Sequence, residues 1–258
     1  ILGIHPLRPL PPFARQTLTQ WFKSRLTHHP STSGLQTPGY RLPPEARSPK
    51  PETSRGMVVL FNDTFMNYNY PQIGKAAVEL LEAAGFQVIL ANARCCGRPM
   101  ISKGLLEEAA ACARYNVDLL YPYAEQGIPI VGCEPSCLLT LKDEYPELLK
   151  DDRSRKVAEH SFLFEDLLMR LQDKGELGLE FQDLPKKVLF HGHCHQKALV
   201  GTANSLRALR LPPGYQVEQT NAGCCGMAGA FGYEKEHYDI SMKIGEQVLF
   251  PAVRAKDP

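Results

Sequence analysis

The sequence predicts an α/β fold of two pseudo-symmetric strand–helix repeats, with parallel sheets and a Cys-Cys-Gly loop at a strand carboxyl end in each. Three observations predict it. From Met57 onward, short apolar runs alternate with amphipathic stretches of helix length. The triplet Cys-Cys-Gly occurs twice, at 95–97 and 224–226, each time after strand–helix–strand. At the offset of 129 that separates the triplets, Phe61 also falls on Phe190, which reads as an internal duplication.

The elements follow in order. Val58-Val59-Leu60-Phe61 is a short apolar strand, Gly74 to Ala84 an amphipathic helix closed by Gly85, and Phe86 to Leu90 a second strand. Ala93 to Pro99 forms the first Cys-Cys-Gly loop. Leu105 to about Ala124 is a long helix, and Ile128 to Val131 a third strand. Gly132-Cys133-Glu134-Pro135-Ser136-Cys137 then opens a helix, with Pro135 suited to its first position. The pattern restarts with the strand Val188-Leu189-Phe190. A single helix is expected from about Lys197 to Leu209, a strand from Tyr215 to Glu218, the second Cys-Cys-Gly loop, and a helix from Glu234 to about Val253. The duplication predicts a further strand from about residue 257, with a cysteine near 262 by the same offset, so the chain is expected to be truncated at Pro258. It begins with Ile1 rather than Met, which also suggests a fragment or a processed chain.

Three regions are therefore expected: residues 1–56, 57–186 (repeat one) and 187–258 (repeat two, truncated). The first holds 10 of the 21 prolines and carries eight Lys/Arg against two acids, so its net charge is +6 where the rest is −5. It reads as a basic, Pro-rich connector with one short helix from Phe13 to about Leu26, offering Trp21 and Phe22 for docking, and an irregular linker from His28 to Arg55. Aromatics are not interleaved with its basic residues, which argues against a nucleic-acid arm. The whole chain has a formal net charge of +1 and no apolar run long enough to span a bilayer.

The eight cysteines carry the functional signal. They are too few and too unevenly placed for a secreted disulfide scaffold, and point instead to a reducing compartment with metal or redox chemistry. Seven of them, Cys95, Cys96, Cys133, Cys137, Cys194, Cys224 and Cys225, fall where strands end and helices begin. In an open α/β sheet those positions gather at the carboxyl edge, where ligands bind. Thiolates there suit soft metals and iron–sulfur clusters. Cys137 falls in a helix first turn, whose dipole favours the thiolate. Cys133 precedes that helix and is a secondary candidate. Cys112 lies inside the alanine-rich helix, a packing position. His191, His193 and His195 alternate around Cys194; on an extended segment all three would face one side, and His193 and His195 are secondary candidates as metal ligands, better suited to hydrogen bonding. No ferredoxin run, paired zinc knuckle or nucleophile elbow is present.

With its duplicated Cys-Cys-Gly, the sequence resembles the cysteine-rich (CCG) domain family, and its finer motifs look like the carboxy-terminal iron–sulfur part of FAD-linked oxidases. The motifs are Asp63-Thr64-Phe65, Cys95-Cys96-Gly97-Arg98-Pro99, Gly132 to Cys137, His191-Gly192-His193-Cys194-His195-Gln196, and Gly223-Cys224-Cys225-Gly226-Met227-Ala228-Gly229 through Phe231-Gly232-Tyr233. The resemblance covers about residues 57–258, and the segment from Leu10 to Phe22 also looks like the connector of such fusions. It implies an iron–sulfur cluster of the 4Fe-4S type on Cys95, Cys96, Cys137, Cys194, Cys224 and Cys225. It implies FAD in a fused or partner domain, a ferredoxin-like domain as a further partner, and a cytoplasmic location, with peripheral association at the inner face of the membrane as an option. The family has a lone cysteine ahead of each Cys-Cys-Gly; repeat two supplies Cys194, whereas repeat one reads Asp63-Thr64-Phe65.

The function so expected is an electron-transfer module of a flavin-dependent 2-hydroxy acid dehydrogenase or oxidase, of D-lactate or glycolate type. The alternatives are thiol–disulfide catalysis of the heterodisulfide reductase kind, and a zinc-bound or metal-free structural module for a flavoprotein partner.

Overall fold

The computed structural model describes residues 3–26 and 54–256. Most of the expected linker, and the residues where a last strand would begin, lie outside that range. The chain divides into two compact units, Pro12–Leu179, and Glu180–Pro258 with Ile1–Pro11.

The larger unit is built on a four-stranded parallel sheet of order β2-β1-β3-β4, formed by β1 (Gly56–Leu60), β2 (Phe86–Leu90), β3 (Ile130–Gly132) and β4 (Ser161–Leu163). β1 runs through the middle, with Leu60 level with Leu90 on one side and with Val131 on the other. Continuous apolar runs are the signature of strands covered on both faces, and Val58, Val59, Leu60, Val88 and Ile130 are fully buried. Val59, Ile89 and Ile130 share a core with Ala113, Val117 and Leu120 of the long helix α5 (Leu106–Glu125).

The other helices are α1 (Leu18–Leu26), α2 (Thr64–Tyr68), α3 (Pro71–Ala83), α4 (Arg98–Ser102), α6 (Pro135–Lys142), α7 (Glu144–Leu149), α8 (Asp152–Glu159) and α9 (Phe164–Asp173). α1 starts five residues later than the composition suggested, because Thr17 and Gln20 form a reciprocal capping box, Gln20 N–H to Thr17 Oγ1 at 3.1 Å and Thr17 N–H to Gln20 Oε1 at 2.9 Å. Its Leu18 and Phe22 are buried.

The smaller unit holds a two-stranded parallel sheet, β5 (Lys186–Phe190) with β6 (Tyr215–Gln219). The helix expected over 197–209 is two helices, α10 (Cys194–Leu199) and α11 (Ala203–Leu209), because Gly201 turns the chain through a φ of 75° between them. The helix expected from Glu234 begins instead at Tyr238, after two short 3₁₀ turns, as α12 (Tyr238–Gln247), and α13 (Leu249–Arg254) follows. Pro251 accounts for the break: its ring would clash with the carbonyl four residues back, at Gln247. Residues of the N-terminal segment pack in this unit, with His5 stacked on Tyr238 at 3.7 Å and Arg8 donating to Ser241 Oγ at 3.0 Å. Among the described residues, no helix is long and apolar enough to cross a membrane.

Candidate metal centre

Parallel pairing sends the loops after β1, β2 and β3 off one edge of the sheet, and the cysteines of repeat one sit on two of those loops. Cys95 and Cys96 follow β2, and Cys137 lies in the first turn of α6. Their thiols form a row, with Cys96 within side-chain hydrogen-bond reach of both Cys95 and Cys137. Cys96 is buried, and Cys95 and Cys137 are half-buried. Contact with Cys96 first, and burial second, push the Cys95 thiol well above its ordinary range. Contact with Cys137 does the same to Cys96. Three thiolates this close would repel one another unless a cation neutralised them.

Hydrogen-bond donors already point at the sulfurs. The Gly97 N–H and the Thr64 hydroxyl donate to Cys95, and the Arg98 N–H donates to Cys96. Gly97 makes this geometry possible with a φ of 91°, a conformation that residues with a side chain rarely adopt. Soft donors in a row, with Cys96 between Cys95 and Cys137 and N–H groups aimed at sulfur, fit the spread of ligands around a multi-iron cluster better than one shared ion.

A buried polar clamp, invisible in the motifs, fixes this loop. Asn116 of α5 accepts from the Arg94 N–H at 2.9 Å, and its amide donates to the Arg94 and Cys95 carbonyls, both at 3.3 Å, and to the Tyr145 hydroxyl at 2.8 Å. Tyr145 Oη donates in turn to the Cys96 carbonyl at 3.0 Å. Asn116 and Tyr145 are wholly buried. A signal existed: Asn116 interrupts the stripe Ala109, Ala113, Val117, Leu120 with a polar side chain. Arg98, just past the triplet, bonds Thr140 Oγ1 at 3.2 Å and pairs with Glu144, joining α4 to α6 and α7.

Cys133 lies between β3 and α6. Burial, and the nearby carboxylates of Asp63, Glu165 and Glu134, push its thiol up to about 12. Cys112 lies within α5 with its sulfur 3.8 Å from that of Met100.

In the smaller unit, Cys194 is the first residue of α10, exposed, at the carboxyl end of β5. Cys224 and Cys225 follow β6 and are half-buried. Because β5 and β6 pair in parallel, both loops leave from the same edge. The Gly226 N–H donates to Cys224 Sγ at 3.3 Å, as Gly97 does to Cys95. Gly226 has a φ of 85°, and a Cβ on it would overlap the Ser241 carbonyl of α12. This loop is held by Lys197, whose ammonium donates to the carbonyls of Ala222 and Gly223, each at 2.7 Å. The expected one-sided row of histidines does not form, because extended structure stops at Phe190 and helix starts at Cys194. His193 caps that helix, Nδ1 accepting from the His195 N–H at 3.2 Å. The rings of His193 and His195 lie 6.5 Å apart, centre to centre. His191 Nδ1 is 3.1 Å from Thr220 Oγ1.

Residues 59–142 match the model of a cysteine-rich domain named CCG. That stretch of the chain is a cysteine-rich (CCG) domain. Its relatives are dehydrogenase components and related proteins. Over 193 residues it is 36% identical to a component of the anaerobic glycerol-3-phosphate dehydrogenase of Escherichia coli K12, covering 74% of this chain and 48% of that protein. Over 192 residues it is 31% identical to D-2-hydroxyglutarate dehydrogenase of the same organism, covering 73% of this chain and 18% of that protein. Over 198 residues it is 27% identical to a lactate utilization protein of an Exiguobacterium species, covering 72% of this chain and 77% of that protein. The chain thus spans about half the length of the first relative and about a fifth of the second.

Proposed function

We propose that the chain is an iron–sulfur electron-transfer module of a flavin-dependent dehydrogenase or oxidase that acts on a small 2-hydroxy acid of the D-lactate or glycolate type. The observation that carries this reading is the row of Cys95, Cys96 and Cys137 thiols at the sheet edge, Cys96 in contact with each of the others, with N–H donors aimed at the sulfurs. The relatives named for oxidation of hydroxylated substrates support it. Flavin chemistry belongs, in this reading, to a fused or partner domain, with a ferredoxin-like domain as a further relay.

When bound, an iron–sulfur cluster, of the 4Fe-4S type here, supplies one-electron transfer. The protein's part is to hold and tune it. Cys95, Cys96 and Cys137 serve as thiolate ligands in repeat one, and Cys194, Cys224 and Cys225 in repeat two. The N–H groups of Gly97, Arg98 and Gly226 stabilise negative charge on sulfur. Asn116 and Tyr145 lock the loop so that little rearranges as charge moves. Burial of Cys96 opposes thiol–disulfide catalysis at that residue, since an attacking thiolate needs access.

The test is anaerobic iron and acid-labile sulfide analysis of the purified chain with EPR of the reduced protein. Stoichiometric iron and sulfide with a reduced-cluster signal are expected. Full zinc occupancy without iron, or no cluster after reconstitution, overturns the reading.

A further inference from the structure

The two repeats place different residues at one equivalent position. β1 and β5 are five residues each, at 56–60 and 186–190. In each case the third residue after the strand caps a helix with its side chain: Asp63 accepts from the Met66 N–H, and His193 from the His195 N–H. The first helical residue is then Thr64 in repeat one and Cys194 in repeat two, and both are exposed. The structural offset here is therefore 130, from 56 to 186, whereas β2 and β6 differ by 129, from 86 to 215. Repeat two is one residue shorter between its two strands. Leu60, not Phe61, corresponds to Phe190, which corrects the sequence alignment and identifies the residue standing where a cysteine stands in the other half.

Thr64 is also in contact with the trio, since its hydroxyl donates to the Cys95 sulfur. Cys133 is poorly placed to supply the missing thiolate: burial first, and then the carboxylates of Asp63, Glu165 and Glu134, oppose a negative sulfur there.

We propose that repeat one holds its cluster through three thiolates only, Cys95, Cys96 and Cys137, and that the corner beside Thr64 is a solvent-open iron site that takes an oxygen donor such as water. Repeat two, with Cys194 at the equivalent place, has a thiolate at that corner. The proposal rests on the iron–sulfur reading above and adds that the two centres differ at this corner, which has an oxygen donor in repeat one and the Cys194 thiolate in repeat two.

The experiment uses the full chain with Cys194, Cys224 and Cys225 replaced by Ser, reconstituted anaerobically with ferrous iron and sulfide. Ferricyanide takes one electron from a [4Fe–4S]²⁺ cluster with an exchangeable corner; the cluster releases Fe²⁺ and becomes [3Fe–4S]¹⁺, which EPR detects. Dithionite and ⁵⁷Fe²⁺ return the electron and the iron, and Mössbauer spectra then count the labelled site. The expected result is a three-iron signal and label in one corner, kept in Thr64→Val and Cys133→Ser and reduced at least about tenfold in Thr64→Cys. Far-UV circular dichroism and iron content confirm that each variant folds and loads. A cluster that does not exchange with Thr64 intact, equal exchange in Thr64→Cys, or iron loss on Cys133→Ser overturns the proposal. So does absence of iron from this variant when the parent chain binds it. Absence of iron from the parent as well overturns the functional reading on which the proposal stands.

Discussion

The two Cys-Cys-Gly loops share a backbone device and differ in what braces it. Each has a left-handed glycine with its N–H on the first cysteine's sulfur. Around Cys95-Cys96 the brace is a buried neutral network, Asn116 and Tyr145, inside the core of a four-stranded sheet. Around Cys224-Cys225 it is one partly exposed ammonium, that of Lys197, beside a two-stranded sheet. The difference teaches that the chemistry of the loop needs only the glycine and the thiols, while its rigidity is supplied separately in each repeat. A buried polar clamp is all-or-none, because each lost partner leaves others unsatisfied. An exposed lysine is replaceable by water.

The largest expected effect falls on metal binding. The thiols of Cys95 and Cys96 are held protonated by their neighbours, so a metal must displace those protons. Affinity for a probe ion such as Zn²⁺ at repeat one, measured by chelator competition on the full chain lacking the repeat-two cysteines, is expected to rise by about tenfold or more per pH unit toward neutrality. A flat profile would mean the thiols are already ionised.

Next come the braces. Asn116→Ala removes hydrogen bonds to Arg94, Cys95 and Tyr145 at once, and is expected to cost about 3 kcal/mol and to accelerate hydrogen exchange in the first loop. Lys197→Met is expected to cost about 1 kcal/mol or less, with exchange changing only in the second loop. Equal costs would erase the distinction between the two loops. Tyr145→Phe keeps the packing and loses one hydroxyl, for an expected loss of about 1 kcal/mol in urea titrations.

The smallest effect concerns the frame of repeat one. Asp151 caps α8, accepting from the Ser154 N–H at 2.7 Å, and that bond holds its carboxyl below the ordinary range. A depressed carboxyl stabilises the fold above its unfolded pKa and loses that contribution as pH falls through the folded one. Asp151→Ala is therefore expected to cost about 1 kcal/mol at neutral pH, with wild type and variant converging below the ordinary carboxylate range. A constant difference at all pH values would point to packing rather than charge.

The parallel sheet and the gathering of cysteines at its edge were legible because buried parallel strands are unbroken apolar runs, and Phe86–Leu90 is found with its predicted bounds. The start of α6 was legible from Pro135. What escaped had weak local signals. β4 is three residues long, Ser161–Leu163, and gains its identity only by pairing with β3. α2 is five residues, recognisable once Asp63 is seen to cap it. The equivalence of Thr64 and Cys194 was hidden by a one-residue length difference between the repeats, which no constant offset can follow. Asn116 lies about twenty residues from the loop it clamps, so its role is a property of packing, not of a motif.

The most direct test of the central claim, that Cys95, Cys96 and Cys137 hold iron as thiolates, is iron and sulfide analysis of Cys95/Cys96/Cys137→Ser beside Cys194/Cys224/Cys225→Ser, both purified anaerobically. Each triple variant is expected to lose its own share of iron and sulfide and to keep the other's. Full iron retention in Cys95/Cys96/Cys137→Ser, in a chain that remains folded, would contradict the account.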